Sequence, residues 1–167
     1  MIENFKGSSP KVPKSAYVHK SSVLIGKVEI GENTSIWPNA VLRADIDEIV
    51  IGNNTNIQDL VSVHVNFNAP VIIGDEVTVG HSAVIHGCKI GNRCLIGMKA
   101  LVMESEIGDD CIIAGGTIIA PRKKIPPKSL VMGVPGKIIR TLTDEEIKSL
   151  KTSAQNYVEL AKHYKGE

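Results

Sequence analysis

The chain has 167 residues, of which 43% are hydrophobic and only 4% aromatic, and its formal net charge is +1 at pH 7. This length suits one domain with a sizeable core, which must be built from Ile, Val, Leu and Ala rather than from large rings. A net charge so close to zero argues against a nucleic-acid partner.

Residues 1–16 form a charged lead-in that contains Gly, Ser and Pro and lacks the apolar segment of a signal peptide. No uninterrupted apolar run in the sequence reaches the length that spans a bilayer. We therefore expect a cytoplasmic protein with no membrane partner.

A repeat of aliphatic residues dominates residues 17–121. Its positions are Ile30, Ile36, Leu42, Ile51, Ile57, Val63, Ile73, Val79, Ile85, Ile90, Ile96, Val102, Ile107, Ile113 and Ile119. Within each group of three the step is six residues, and the later groups are five residues apart, so one turn takes 17 residues and has three sides. The sequence predicts an all-β solenoid of hexapeptide repeats, whose sides we call first, second and third in the order of each group.

The rhythm breaks twice, each time after a third side. The first insertion, between Leu42 and Ile51, carries several carboxylates, and the second contains residues 65–70. We expect both insertions to form loops at one edge of the solenoid, where solenoids commonly carry their functional residues.

The three cysteines, Cys88, Cys94 and Cys111, are odd in number and lack the CxxC spacing. A disulfide framework or a thiolate zinc site is therefore not expected. Cys94 and Cys111 share a column with Thr55 and Val77, four residues after a first-side aliphatic residue, and we interpret them as small structural residues.

The repeat stops at Pro121. Because prolines interrupt residues 122–142, we expect a return segment there rather than another coil, with the cationic run 122–124 as a solvated loop. Residues 143–167 should form a helix, since Thr143 and Glu146 have capping-box spacing and an apolar stripe follows. This helix should pack along the solenoid wall or against a neighbouring chain.

Three histidines stand out against this framework. His64 follows Val63 and His86 follows Ile85, so both should lie in one outward column of the third side, about 4.8 Å apart on adjacent strands. Arg43 belongs to the same column one turn earlier. Two imidazoles at this spacing can bind one metal ion, and three with an open position form a known catalytic zinc set.

His81 lies two residues after a second-side position and should face another direction. One chain would then not bring all three histidines together, although a site within one subunit also remains open. Around a three-fold axis, the second side of one chain could meet the third side of the next, giving three equivalent sites. Asp59 should lie one turn below His81 with Gln58 beside it.

Two further contacts follow from that arrangement. Arg43 and Asp59 could pair across facing subunits. Trp37, outward on the second side beneath Gln58, should pack at the subunit interface.

The motifs together resemble the signature of gamma-class carbonic anhydrases and their relatives over about residues 10–140. The matching elements are Arg43-Ala44-Asp45, Ile51-Gly52, Thr55-Asn56-Ile57-Gln58-Asp59, His64, Gly80-His81 and His86-Gly87. The resemblance implies a left-handed parallel β-helix that forms a homotrimer, with zinc, or alternatively iron or cobalt, between subunits. The hand comes from the resemblance alone.

The resemblance also implies an activity, the reversible hydration of carbon dioxide to bicarbonate by metal-bound hydroxide. The implied roles are metal ligation by His64, His81 and His86, orientation of the hydroxide by Gln58, polar support by Arg43, Asp45 and Asp59, and lesser support by Asn56. Where active relatives carry glutamates for proton transfer, this chain has Ile46 and the uncharged loop 65–70. Turnover could therefore be slow.

Two alternatives remain open at the level of the sequence. A hexapeptide-repeat acyltransferase using coenzyme A shares the solenoid and a return segment resembling residues 133–137. It would need one basic histidine rather than three at metal spacing. A non-catalytic metal-binding or assembly protein would explain the missing glutamates.

Overall fold

The computed structural model describes residues 1–166, which form a parallel β-solenoid of about seven turns with one helix along its wall. The elements in chain order are β1 (Ile2–Glu3), β2 (Tyr17–Val18), β3 (Val23–Ile30), β4 (Ser35–Ile36), β5 (Val41–Ile51), β6 (Asn56–Ile57), β7 (Ser62–His64), β8 (Val71–Ile73), β9 (Thr78–Val79), β10 (Val84–His86), β11 (Lys89–Ile90), β12 (Leu95–Ile96), β13 (Leu101–Met103), β14 (Glu106–Ile107), β15 (Ile112–Ile113), β16 (Ile118–Ile119), β17 (Lys124–Ile125), β18 (Ser129–Met132), β19 (Lys137–Thr141) and α1 (Asp144–Lys165). No helix among these residues is long and apolar enough to cross a membrane.

Each side of the solenoid is a ladder of short parallel strands. On the second side, for example, Ile57 pairs with Ile36 on the turn before and with Val79 on the turn after. Side chains at the predicted repeat positions therefore stack inside the coil, and all of them are at most 4% exposed. The predicted core and its three-sided period are confirmed.

The first insertion is not a loop, and this prediction was wrong. Strand β5 continues unbroken from the third side into the first, and β3 follows it with a register shift between Gly26 and Val28. Gly26 has φ +77°, and a Cβ at that position would collide with the carbonyl oxygen of Ala44. The extended chain holds Asp45 on a strand rather than on a flexible loop.

The second insertion is a loop, as predicted. Asn66 and Ala69 exchange two backbone hydrogen bonds of 3.1 Å, and Phe67 lies exposed at the tip. The Asn66 side chain donates to Glu104 Oε1 at 3.0 Å, which anchors the loop to the corner of a later turn.

Side-chain hydrogen bonds join neighbouring turns at one corner. Asn53 Oδ1 accepts from the backbone of Glu32, and Asp75 Oδ1 accepts from the backbone of Asn53. Asn92 and Asp109 continue the same pattern on later turns. This ladder satisfies backbone N–H groups that the strands leave unpaired at the corner.

The cysteines have structural roles, as expected, and all three are buried and free of disulfides. The thiols of Cys94 and Cys111 donate to the carbonyl groups of Gly108 and Pro126 on the next turn. Thr34 and Thr55 make the corresponding bonds on earlier turns. Burial raises the pKa of Cys88 to about 12, so this thiol stays protonated.

The solenoid extends beyond Pro121, so the expected return segment is only partly correct. Strands β17 and β18 continue the parallel ladders by pairing with β14 and β15. Residues Pro126 and Pro127 fall at the corner between these strands, where no ladder hydrogen bond is lost. The chain turns back only at β19, which pairs antiparallel with β18.

The helix begins as predicted, and residue 167, the last of its predicted range, lies outside the described residues. Thr143 and Glu146 form a reciprocal capping box, and Gly166 ends the helix in the left-handed conformation. The face containing Leu150 and Ala154 packs across the second side, over β2, β4, β6 and β9. The expectation that the second side meets a neighbouring chain is therefore wrong for these turns, because α1 covers that side and leaves only its corners exposed.

The residue beneath α1 is Trp37, which we had expected at a subunit interface. It is 5% exposed, and its ring centroid lies 5.6 Å from Tyr157, 5.1 Å from Tyr164 and 5.3 Å from Tyr17. Its indole N–H donates to Ser35 Oγ at 2.9 Å. The expected interface contact is corrected to a contact with the chain's own helix.

Candidate metal centre

The predicted histidine column is present on the third side. Strand pairing places Arg43, His64, His86 and Met103 opposite one another on four successive turns. The imidazole centroids of His64 and His86 are 5.3 Å apart. Both side chains point outward at the edge of the solenoid that also carries the loop of residues 65–70.

The facing nitrogens of this pair have the spacing of two metal ligands. His64 Nδ1 lies 3.3 Å from His86 Nε2. Two nitrogens bound to one tetrahedral zinc at its usual bond length are separated by about 3.3 Å. The geometry therefore fits one metal ion shared by the two imidazoles. Each imidazole can bind that ion only through an unprotonated nitrogen.

Asp45 orients the first of these ligands. His64 Nε2 lies 2.9 Å from Asp45 Oδ1, and Arg43 Nη1 donates to Asp45 Oδ2. Burial alone would raise the pKa of Asp45, but the hydrogen bonds from His64 and Arg43 outweigh it and lower this pKa. An ionised carboxylate only accepts, so the His64 proton lies on Nε2 and Nδ1 is left with its lone pair toward His86.

This arrangement gives a prediction for Asp45→Asn. An amide can donate to Nε2 and would favour the opposite tautomer of His64, with the proton on Nδ1. We expect metal affinity to fall about 10- to 100-fold in a competition titration with a chromophoric chelator. Asp47→Asn is the matched control, because within residues 1–166 the Asp47 side chain accepts a hydrogen bond only from the backbone N–H of Glu48. Equal losses in the two variants would contradict the orienting role.

His81 lies apart from the pair, at the corner that follows β9. Its Nδ1 is 2.9 Å from Asp59 Oδ2, and its backbone N–H donates to Gln58 Oε1 at 3.2 Å. Nε2 therefore remains as the candidate ligand atom on a partly exposed ring. The described residues contain no group of three His, Cys, Asp or Glu side chains close enough to hold a metal. A single chain thus presents a pair and a separate third imidazole.

The polar residues next to His81 form a buried line that reaches α1. Gln58 Nε2 donates to Asn56 Oδ1 at 3.1 Å, and Asn56 Nδ2 donates to Thr78 Oγ1 at 2.9 Å. Thr78 Oγ1 lies 3.4 Å from Ser153 Oγ on the helix. Gln58 was expected to be outward, and it is, but α1 covers it. The Gln58 amide nitrogen is engaged by Asn56, and its oxygen accepts from the backbone N–H of His81. The amide therefore helps to hold the backbone at His81 in place.

Within the described chain, Arg43 and Asp59 do not contact each other, and each has another partner. Arg43 pairs with Asp45, and Asp59 pairs with His81. The expected ion pair between Arg43 and Asp59 would have to replace both contacts. Asp45 contacts His64 and Asp59 contacts His81, and an ion pair between Arg43 and Asp59 across facing subunits stays a prediction.

Three contributing residues were not found from the sequence. Thr78 and Ser153 complete the polar line behind His81, and Glu104 anchors the loop beside His64. Glu104 follows the column residue Met103, so register alone could have placed it near this edge. Ser153 gives no such signal, because its position depends on how the helix docks.

Curated relatives of this chain carry the name of carbonic anhydrases. A protein of Methanocaldococcus jannaschii named as a probable carbonic anhydrase is 50% identical over 151 residues, which cover 90% of this chain and 95% of that protein. Mitochondrial gamma carbonic anhydrase 2 of Arabidopsis thaliana is 41% identical over 173 residues, covering 99% of this chain and 62% of that protein. The chain belongs to the gamma-class carbonic anhydrase family. The predicted resemblance is confirmed.

The solved structures add the fold of the family. A putative acetyltransferase from Bacillus cereus is 38% identical and superimposes with a TM-score of 0.97, covering 99% of this chain and 96% of that one. The fold is the predicted left-handed parallel β-helix of hexapeptide repeats. No family model matches the chain. Membership in a carbonic anhydrase family implies a metal cofactor, and the histidine pair is the part of this chain that fits one.

Proposed function

We propose that this gamma carbonic anhydrase is a homotrimer that interconverts carbon dioxide and bicarbonate at metal sites between its subunits. His64 and His86 of one chain and His81 of a neighbour would hold each metal. The supporting observation is the spacing of 3.3 Å between His64 Nδ1 and His86 Nε2, with the third imidazole fixed at a separate corner.

The three imidazole ligands determine the chemistry that a bound metal would supply. A divalent ion on three neutral imidazoles lowers the pKa of a coordinated water toward neutrality. Zinc suits this donor set, and iron and cobalt are the alternatives. Asp45 and Asp59 would keep His64 and His81 in the tautomers that leave a lone pair for the metal. Gln58, fixed by Asn56, would position His81 and present its remaining amide hydrogen near the site.

Exposed apolar residues around the His81 corner support the trimer. Leu60 and Met98, on the turns before and after His81, are 60% and 62% exposed, and Val84 projects from the third side. Apolar side chains that cluster around a polar group are typical of an interface between proteins. We infer that this corner packs against the third side of the next chain, where the His64 and His86 pair lies.

The route by which a proton leaves the site is the second element of the proposal. Ile46 and the uncharged loop 65–70 provide no carboxylate at the expected shuttle positions. Glu48 Oε2 pairs with Lys27 Nζ at 2.8 Å. Glu104, which lies beside the same loop, is engaged by the side chain of Asn66. We therefore expect removal of the proton to depend mainly on acceptors from solution.

A buffer titration tests both the activity and this proton route. Anaerobically purified, metal-reconstituted protein should hydrate carbon dioxide, with kcat rising as an imidazole buffer is increased at constant ionic strength, while kcat/KM stays constant. Stopped-flow indicator assays measure both parameters. A kcat that is independent of buffer would show that the chain has its own proton acceptor.

The two alternatives predict different results in the same preparations. Absence of hydration with zinc, iron or cobalt at every buffer concentration, despite bound metal, would favour a non-catalytic metal-binding protein. Transfer of the acetyl group of acetyl coenzyme A to an added amine or hydroxyl acceptor by metal-free protein, with release of free coenzyme A, would favour the acyltransferase, in line with the name of the Bacillus cereus structure. Stoichiometric metal that is lost on mutation of any of the three histidines supports the proposed site.

A further inference from the structure

The C-terminal end of the solenoid has a charge pattern unlike the rest of the chain. Residues 111–142 contain six Lys or Arg side chains and no Asp or Glu, although the whole chain has a net charge of only +1. The remaining residues are therefore negative overall. The cationic run at 122–124, interpreted from the sequence as a solvated loop, is one part of a larger positive surface.

These cations surround the last layer of the coil. Arg122 lies at the corner after the third side, and Lys123 precedes the terminal strand β17 of the first side. Lys128 lies at the next corner, and Lys137 begins β19, the terminal strand of the second side. We call this surface, residues 122–128 and 133–141, the end face.

Most cations of the end face lack a partner among residues 1–166. Lys124 pairs with Glu106 and Arg140 with Glu146, but the side chains of Arg122, Lys123, Lys128 and Lys137 form no ion pair there. The nearest carboxylates in sequence, Asp144 and Glu145, begin α1, where the positive end of the helix dipole favours them. The end face therefore keeps an excess of positive charge.

The same surface exposes large apolar side chains. Val134 is 68% exposed, and Ile138 and Ile139 are 51% and 55% exposed. Val134 belongs to the segment that covers the end of the third side, where Gly136 N–H donates to Ile118 O. Ile138 and Ile139 lie on β19, over the second side. Met132, at the end of β18, is left out because it lies between the two segments of the end face rather than on either of them.

We propose that the end face binds the surface of an anionic membrane. Lipid headgroups supply the negative charge that the unpaired cations lack, and separate apolar protrusions can enter the interface of a bilayer while lysine side chains extend to the headgroups. An acidic protein partner fits less well, since the apolar residues lie over two different sides rather than in one groove. This revises our expectation of no membrane partner.

The proposed trimer would multiply this contact. In the proposed trimer the solenoids pack side by side with their coil axes along the three-fold axis. Rotation about that axis preserves direction along it, so the three end faces lie on one face of the assembly. A planar bilayer can contact all three together, which turns three weak contacts into a stronger one. This surface therefore depends on the trimer proposed above for its strength, but not on the catalytic activity.

Vesicle flotation of the metal-loaded wild-type trimer tests the contact. We expect binding to vesicles of phosphatidylcholine mixed with phosphatidylglycerol, little binding to phosphatidylcholine alone, and weakening by salt. The variants Lys123→Glu/Lys128→Glu and Ile138→Ser/Ile139→Ser should each lower the affinity at least about tenfold. The control Lys20→Glu/Lys89→Glu makes the same charge change elsewhere and should stay within about twofold of wild type.

Several outcomes would overturn the membrane contact. Equal loss in the control and in the end-face variants would show a non-specific charge effect. Binding to soluble polyglutamate that matches binding to anionic vesicles, with no loss on substitution of Ile138 and Ile139, would indicate an acidic macromolecule instead. Metal content, light-scattering mass and hydration rate are measured on each variant. A metal-loaded active trimer that binds no vesicle refutes the membrane contact while leaving the proposed function intact.

Discussion

Mixed trimers of two inactive variants should recover metal and activity. His81→Asn removes the third ligand, and His64→Asn/His86→Asn removes the pair, so neither variant alone should retain a complete site. When a trimer contains both variants, one of its three interfaces combines an intact pair from one chain with an intact His81 from the other. Purified mixed trimers should therefore bind metal at about one third of the wild-type stoichiometry.

The experiment distinguishes shared sites from sites within one chain. Two differently tagged copies are co-expressed, trimers carrying both tags are isolated, and metal content and carbon dioxide hydration are measured together. In the matched control, both tagged chains carry His81→Asn, and the mixed trimers should recover neither metal nor activity. Mixed trimers without metal would mean that the three histidines come together within one subunit, contrary to our proposal.

Replacement of Trp37 should cause the largest loss of stability. Trp37→Ala leaves a cavity between the second side and α1 where Tyr17, Tyr157 and Tyr164 now surround the indole. We expect the free energy of unfolding to fall by about 3 to 5 kcal/mol. Trp37 is the one tryptophan of the chain, so unfolding is followed by circular dichroism rather than by intrinsic fluorescence.

A conservative substitution and a second readout test the cause of this loss. Trp37→Phe keeps an aromatic ring but loses the hydrogen bond to Ser35, and should recover a large part of the stability. Limited proteolysis should cut α1 faster in Trp37→Ala than in Trp37→Phe, since the cavity loosens the helix. If Trp37→Ala lost less than about 1 kcal/mol, the helix would have to be held mainly by its other contacts.

The solenoid was predictable because its signal is local and repeated. Each aliphatic position such as Ile57 faces the core for the same reason as its neighbours one turn away, so the period fixes side, layer and orientation together. The same register placed His64 beside His86 and Asp59 beside His81. The predictions worked wherever the position of a residue follows from its number within a turn.

The predictions failed where the chain departs from that period. The acidic insertion after Leu42 was expected to be a loop, but β3 and β5 shift register together and carry the strand through the corner. The burial of Trp37 and Gln58 depends on where α1 docks, and a capping box fixes where a helix begins but not which side it covers. The contact of Asp45 with His64 follows from the unexpected strand.

The strand ladders of the solenoid connect each turn to the adjacent turns. The three candidate ligands lie on two adjacent turns. Each turn gains its stability mainly from the turns before and after it. Coils could therefore be added or lost at either end of the molecule during evolution without moving His64, His81 or His86 relative to one another. The length of the solenoid and the chemistry of its site are then free to vary independently, and the outermost coils can acquire surfaces of their own.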